Sequence, residues 1–416
     1  MKVITLGLGY IGLPTSLMFA RHGVEVVGVD ISEETIKQIN MGSIPIEEPG
    51  LTEYLHYARR MGNFKASLTP ETGDVFIIAV PTPNLEDSFK GCDLSFVKQG
   101  LEAVLPYVRR GNIIIIESTI SPRTMTDMVK PLFEKAGFSV GETIFLVHCP
   151  ERVLPGNILN ELIENNRIIG GVTDKCTEKG KDVYRLFVKG KLLGTDASTA
   201  ELAKLMENTY RDVNIALANE LVQISTQLGI DALEVVRLAN QHPRVNIHNP
   251  GPGVGGHCLA VDPYFIVAKA PEQAKLISLS RKINNNMPHF IVKKIIEIVK
   301  EKQGSTITIL GLAYKGNTDD VRESPSIKIV NQLCNLTDFE IKTFDPHVHP
   351  SIPTTQTMEE ALLNSDLAVI LCDHKEFENL SDKSVHLMKQ RNVFDTKNIL
   401  LNSECFDNHY NLGSLR

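Results

Sequence analysis

Cys258 ends a glycine-rich run, Gly253-Val254-Gly255-Gly256-His257-Cys258, and Asp262 and Pro263 follow it. Glycines remove steric cover and let backbone come close to a ligand, and with a carboxylate nearby they suit a nucleophile that must reach a substrate carbon. A buried structural thiol is the commoner fate of a cysteine; the glycine setting is what favours the nucleophile. Lys204 and Asn208 stand four residues apart in a helical stretch and so share one face. Alone, the pair reads equally well as a solvated lysine beside an asparagine, but Arg211, Asp212 and Asn214 make the next turn polar, which points to a helix lining a cleft. Glu151 sits in Cys149-Pro150-Glu151-Arg152-Val153-Leu154-Pro155-Gly156, directly after an apolar run. Lys315, Arg322 and Glu323 lie in or after a second glycine turn, where cations would meet phosphate, although Arg322 and Glu323 equally suit a surface ion pair. His257, His347 and His349 lack the Cys or carboxylate spacing of a zinc or di-metal site, so no metal is assigned.

The elements that must position these groups begin at the N-terminus. An apolar run at 3–6 breaks into Gly7-Leu8-Gly9-Tyr10-Ile11-Gly12, a helical stretch follows over 13–22, and a second apolar run at 25–29 ends at Asp30. Strand, glycine turn, helix and strand ending in an acid make a dinucleotide-binding βαβ fingerprint. Gly7 permits the tight turn, Gly9 lets backbone N–H groups approach a pyrophosphate, and Gly12 lets the helix pack on the strand, with the helix N-terminus favouring the negative charge. Asp30 can accept both ribose hydroxyls and would repel a 2′-phosphate, so NAD is expected rather than NADP.

Strands are predicted at 74–80 and 112–117, each nearly all apolar as a strand buried on both faces should be. Thr82 and Thr119 then fall at strand C-terminal ends, the edge where doubly wound sheets bind ligands. Further strands are predicted at 143–148 and 167–170. Residues 198–229 read as one long helix with apolar positions at helical spacing; 232–240 and 275–302 also read as helical, around a Gly/Pro loop at 249–256. After Gly304 the opening pattern returns: a strand at 306–310, the turn Gly311-Leu312-Ala313-Tyr314-Lys315-Gly316, a strand at 341–344 ending at Asp345, and another at 367–372. Ala313 replaces the middle glycine, so the fingerprint is degraded and a different phosphate ligand is expected. The C-terminal tail, with Cys405 and His409, gives no reading.

The fold class expected is α/β: two Rossmann-like doubly wound parallel-sheet domains joined by a central long-helix α domain, with boundaries at 1–195, 196–302 and 303–416. A length of 416 residues fits two to three domains at roughly 150 residues each. Hydrophobic residues at 42% and charged residues at 22% are a globular mixture. With 43 Lys plus Arg against 50 Asp plus Glu, the net charge of -7 disfavours nucleic acid or an anionic membrane as partner, so any phosphate must be met locally. No apolar run reaches the roughly 18 residues of a membrane span, and no basic stretch precedes the first apolar residues, so residence in the cytoplasm is the default expectation. The seven Cys form no CxxC pair and are odd in number, which speaks against a zinc cage and a full disulfide framework.

Taken together, GLGYIG, the Pro150-Glu151 motif, the Lys204-x-x-x-Asn208 helix, the Gly-Gly-x-Cys loop and GLAYKGNTDDVRESPS resemble the UDP-glucose/GDP-mannose dehydrogenase family along essentially the whole chain. The resemblance implies a four-electron oxidation in which a sugar C6 hydroxyl becomes a carboxylate at the expense of two NAD. It assigns Cys258 to a thiohemiacetal and then a thioester, Lys204 and Asn208 to oxyanion stabilisation, Asp262 to water, Glu151 to acid/base or water work, and Thr119 to the nicotinamide or an ordered water. It places Gly7, Gly9, Tyr10, Ile11, Gly12, Asp30, Thr82, Thr119 and Arg322 with the cofactor. It places Glu151, Arg152, Val153, Lys204, Asn208, Arg211, His242, Arg244, Gly255, His257, Tyr314 and Lys315 with the substrate, Arg322 also being able to engage the UDP. Arg244 would reach a neighbouring subunit's substrate in a homodimer built through the central helices. His257, in place of the serine usual in UDP-glucose dehydrogenases, points to a UDP-N-acetylhexosamine; the 149–156, 211–214 and 242–246 wording favours UDP-N-acetyl-D-mannosamine over UDP-N-acetylglucosamine. A two-electron hydroxy-acid dehydrogenase would need neither Cys258 nor a second sheet. A non-catalytic sensor of NAD and nucleotide sugar would not need the Cys, Lys, Asn and Glu set.

Overall fold

Runs such as Val3-Ile4 and Val26-Val27 are apolar on both sides of the strand, which is stable only when both faces are covered. In the computed structural model, which describes residues 1–415, they lie in two interior strands of an eight-stranded sheet. Its strands are β1 (Lys2–Leu6), β2 (Glu25–Val29), β3 (Phe64–Ser67), β4 (Val75–Ile78), β5 (Ile113–Ile116), β6 (Phe145–His148), β7 (Arg167–Gly171) and β8 (Leu192–Asp196). They lie in the order β3-β2-β1-β4-β5-β6-β7-β8. One face packs on α1 (Gly12–Arg21) through Leu13, Leu17 and Phe19. The other face buries Phe76, Ile114, Ile116 and Phe133. β3 and β8 escape a reading based on apolar runs, because each is a short edge strand that alternates or exposes its side chains.

The sheet departs from the wholly parallel expectation at one pairing: β7 runs antiparallel to β6, with Val147 opposite Gly171 and His148 opposite Gly170. The intervening chain stays near the C-terminal end of β6. Buried Glu48 accepts the N–H groups of Gly156 and Ile158, both at 2.7 Å, and Glu161 accepts that of Leu154 at 2.9 Å. The seven-residue α2 (Ile158–Glu164) then leads into β7. Reversal puts Arg167, the first residue of β7, beside Glu117 and Cys149, which end β5 and β6. The helix α3 (Asp174–Tyr184) returns the chain to β8.

Contacts divide the chain into two compact units, Met1–Glu207 with Tyr264–Pro271, and Asn208–Pro263 with the chain from Glu272 onward. The predicted long helix is α4 (Ala197–Leu228), continuous through the change of unit. In the second unit α5 (Ala232–Ala239), α6 (Lys275–Glu301) and α7 (Pro325–Leu336) accompany β9 (Thr306–Leu310), β10 (Glu340–Phe344), β11 (Leu367–Ile370), β12 (Asn392–Asp395) and β13 (Asn408–Asn411). These five strands are all parallel, in the order β10-β9-β11-β12-β13. Met287, Ile291 and Ile295 of α6 pack with Ile307, Ile309 and Val369 on one face, while Leu310, Ile370 and Phe377 are buried on the other. The tail that gave no reading is the edge strand β13, whose Asn-His-Tyr-Asn sequence carries no apolar run.

The polar turn of α4 is used differently from the cleft reading. Asp212 is buried against Arg281 at 2.6 Å and Asn284 at 2.8 Å. Asn219 binds Asn284 at 2.9 Å and accepts Gly251 N–H at 2.9 Å, and Asn214 accepts His248 N–H at 2.8 Å. These groups dock α6 and the Gly/Pro loop on α4. Among the described residues, no helix is long and apolar enough to cross a membrane.

Candidate active site

The glycine turn of the first unit has the geometry each glycine was assigned. Gly7 has φ +89, and a Cβ there would meet Ala79 O at 2.4 Å. A Cβ on Gly12 would meet Gly7 O at 1.8 Å, so helix and strand approach as closely as only glycine allows. Gly9 faces open space, with nothing within 4 Å of a Cβ, which leaves its backbone accessible to a pyrophosphate. Tyr10 is exposed and Ile11 half-buried beside it. Asp30 accepts Leu8 N–H at 2.9 Å and Ser32 N–H at 3.0 Å, which pins the carboxylate at the end of β2. These features fit a bound dinucleotide.

Ser118 Oγ donates to Val80 O at 2.7 Å, joining the ends of β4 and β5 and bringing the turns that carry Thr82 and Thr119 together. Glu151 Oε1 accepts Arg152 N–H at 2.7 Å, and its Oε2 is held by Arg167. Arg152 pairs with Glu207 of α4 at 2.9 Å, Val153 packs on the core, and Lys204 is buried on the same helix. Sequence reasoning missed Glu48, Glu117 and Arg167. Glu117 and Arg167 read as ordinary charged residues at strand ends and Glu48 as one of several loop acids, and only the fold shows that all three are buried.

In the second unit Cys258 O accepts the N–H groups of Val261 at 3.0 Å and Asp262 at 2.8 Å, so the thiol residue begins the turn that starts the helix Asp262–Lys269. Asn208 Nδ2 donates to Asp262 Oδ2 at 2.5 Å, and Arg211 donates to Asn208 Oδ1. The loop before Cys258 lies under Tyr314: a Cβ on Gly255 would meet Tyr314 Cβ at 2.8 Å, and one on Gly256 (φ +81) would meet Tyr314 Cε2 at 2.6 Å. Gly256 N–H also donates to Arg322 O at 2.9 Å. Thus Cys258, Asp262, Asn208, Arg211, Gly255, His257, Tyr314 and Arg322 are gathered by one loop system.

His257 Nδ1 accepts from Arg322 at 2.9 Å, and Arg322 is forked onto Asp320. Burial and then the Arg322 charge hold the His257 imidazole below its usual range, which keeps it neutral with its proton on Nε2. Lys315 is exposed at the second glycine turn. His242 and Arg244 lie exposed against each other in a loop that Asn214 of α4 holds through Asn246 O at 3.1 Å.

Cysteine environments separate the thiols. Burial pushes Cys149 and Cys372 up to about 12, which leaves them inert thiols, whereas Cys258 is partly exposed on its glycine loop.

The second sheet closes its own fingerprint. Asp345, the counterpart of Asp30, accepts N–H groups from Leu312 at 2.7 Å, Ala313 at 3.0 Å and His347 at 2.9 Å, and from His374 Nε2 at 3.0 Å. Although burial opposes its charge, the His374 and amide donors bring its carboxyl down to about 2. Its lone pairs are spent inside the protein, so this carboxylate has none left for a ribose hydroxyl. His347, His374 and Glu376 bring ligand-type atoms within 4.8 Å of one another. His374 Nδ1 accepts Asn317 N–H at 2.9 Å, so its proton is on Nε2 and faces Asp345, leaving no lone pair for an ion.

Residues 1–188 match the NAD binding domain of the UDP-glucose/GDP-mannose dehydrogenase family, residues 198–286 its central domain, and residues 308–402 its UDP binding domain. The chain belongs to the UDP-glucose/GDP-mannose dehydrogenase family. Like other members of this family it is an NAD-dependent nucleotide-sugar dehydrogenase. It is similar to the UDP-N-acetyl-mannosamine dehydrogenase Cap5O from S. aureus, with 56% identity, a TM-score of 0.94, and 100% and 99% of the two chains covered. A UDP-N-acetyl-D-mannosamine dehydrogenase of Methanocaldococcus jannaschii is 48% identical over 96% of this chain and 92% of its own. An NDP-N-acetyl-D-galactosaminuronic acid dehydrogenase of Ralstonia nicotianae is 42% identical, with 95% of each chain covered.

Proposed function

We propose that this family member oxidises the C6 hydroxyl of UDP-N-acetyl-D-mannosamine to the carboxylate, as a UDP-N-acetyl-D-mannosamine 6-dehydrogenase. The chemistry rests on one arrangement: Cys258 opens a helical turn on a glycine loop, and the carboxylate one turn later is bonded to Asn208. The sugar rests on the near-full-length relatives whose names carry it. Bound NAD supplies the hydride acceptor for both oxidations.

Glu151 takes the hydroxyl proton in the first oxidation. Cys258 Sγ adds to the C6 aldehyde, and the second oxidation turns that thiohemiacetal into a thioester. Lys204 and Asn208 meet the oxyanion charge, and Asp262 orients the water that cleaves the thioester. The sum is one hydroxymethyl group, two NAD and one water going to one carboxylate, two NADH and three protons. Residues 1–195 serve the cofactor, 196–302 the reaction and the dimer contact, and 303–416 the UDP, with Tyr314, Lys315 and Arg322 at its site. Neutral His257 donates from Nε2 toward the N-acetyl side of the sugar. The enzyme works in the cytoplasm and feeds uronic acid to cell-surface polysaccharide.

Purified protein is expected to release two NADH per UDP-N-acetyl-D-mannosamine and to form the uronate faster than from UDP-N-acetylglucosamine, UDP-N-acetylgalactosamine or UDP-glucose. The relative named for galactosaminuronic acid makes the third sugar a necessary comparison. One NADH per sugar would point to a two-electron dehydrogenase, and binding without turnover to a sensor.

The same reading includes a homodimer through α4. Tyr210, Leu217 and Ile224 are exposed at a spacing of seven residues, with Leu228 beyond them, an apolar stripe of the kind helices bury against one another. Wild-type protein should sediment as a dimer and the Leu217→Glu, Ile224→Glu double variant as a monomer. A wild-type monomer at micromolar concentration would remove this part.

A further inference from the structure

Arg167 is buried with only 5% of its side chain exposed, and it stands between two carboxylates, Glu117 at 3.5 Å and Glu151 in direct contact. Its guanidinium lies over the Tyr184 ring, 4.6 Å from the centroid, and Nη1 reaches Cys149 Sγ at 3.5 Å. Tyr184 Oη donates to Glu117 Oε1 at 2.6 Å. Glu117 Oε2 is buried and has no hydrogen-bond partner. One cation therefore faces two buried acids, and one of the four carboxylate oxygens is left bare. Charge balance at such a place is met by keeping one acid protonated.

We propose that Arg167 and Glu117 are positioning residues for Glu151: the guanidinium fixes Glu151 in one orientation, and Glu117, with one oxygen bare, is the carboxyl that keeps a proton beside it. The proposal rests on the reading of Glu151 as the reacting base. Geometry divides the two acids. Glu151 has both oxygens met by charged or amide donors, Arg167 and Arg152 N–H. Glu117 has a neutral phenol and a more distant guanidinium. The groups facing Glu117 are Arg167 from β7, Glu151 after β6, Tyr184 from α3 and Thr15 from α1, with Cys149 against Arg167. Burial, opposed by Arg167 and aided by the Glu151 charge, pushes Glu117 up to about 7. When Glu151 takes a proton from substrate, the negative charge beside Glu117 is removed, so proton transfer at one carboxyl changes the field at the other.

Two measurements on the full-length enzyme test this. The first needs no turnover. A carboxyl whose pKa is raised in the folded state binds a proton that the unfolded chain has lost. The contribution of Glu117 to stability should therefore fall as pH rises from about 4.5 to about 7 and level off above it, while His148, buried neutral, acts in the opposite sense between about 3 and 6.5. Glu117→Gln, which keeps the shape and the Tyr184 bond, removes this contribution alone, so the urea midpoint of wild type relative to the variant should drop as pH rises through that range, Glu201 and His148 being common to both.

The second is the pH profile of kcat. Wild type should show a component with an apparent pKa near 7 that Glu117→Gln lacks, with KM for the sugar within threefold. Arg167→Lys, which keeps the charge but loses the fork, should lower kcat at least tenfold at similar KM. Superimposable kcat profiles for wild type and Glu117→Gln, or an undiminished kcat in Arg167→Lys, overturn the proposal while wild-type turnover leaves the function standing. Should wild type reduce no NAD with any UDP-sugar, the function falls, and the role given to the pair falls with it.

Discussion

Replacement of Cys258 by serine is expected to retain nucleotide-sugar binding and to lower uronate formation by several orders of magnitude. Serine is close to cysteine in size, so the loop under Tyr314 keeps its packing. A serine hydroxyl is a far weaker nucleophile toward an aldehyde than a cysteine thiol. Without the thiohemiacetal there would be no covalent hold on the half-oxidised sugar, and no thioester would follow. Stopped-flow measurement of NADH with mass analysis of the enzyme checks this, since only wild type should show a transient mass increase at Cys258. Acid formation by the serine variant at the wild-type rate would remove the covalent mechanism.

Lys204→Ala is expected to lower kcat by roughly 10²–10³-fold, the usual cost of losing one donor to a developing oxyanion, with little change in KM. In the proposed role the Lys204 side chain meets a charge that exists only after the substrate has bound and begun to react, so its loss would fall on the transition state. Lys204 is buried on the face of α4 that also carries Asn208. A loss confined to KM would reassign it to binding. A fall in both, with a lowered melting temperature, would make it a structural residue.

The site was legible in the sequence wherever chemistry needs an unusual local pattern. Gly7 and Gly12, and Gly255 and Gly256 before Cys258, mark places where backbone comes too close for a Cβ, whereas Gly9 leaves open space beside its backbone. Lys204 and Asn208 were legible because a helix long enough to have a face was legible. Asp345 was read only as an echo of Asp30. That it is filled by His374 and by amide donors depends on the ends of β9, β10 and β11 coming together, which no local spacing states. The polar turn at 211–214 divides for the same reason, Arg211 going to Asn208 of the candidate site and Asp212 to a buried network. Polar residues on a helix suit a ligand cleft or a buried docking network equally, and Arg281 and Asn284, which decide for the network, come some seventy residues later.

By itself the sequence determined the two βαβ turns, the long helix and the thiol on its glycine loop, because each is specified by neighbours within a few residues and by the periodicity of apolar side chains. Only the tertiary structure decided the antiparallel turn of β7, and with it the placing of Arg167 between Glu117 and Glu151. Strand direction there follows from where the chain between β6 and β7 is tied, by Glu48 from a hundred residues away. Burial then turns three ordinary charged residues into one coupled group, an effect of shared low-dielectric surroundings that exists only once the chain has folded.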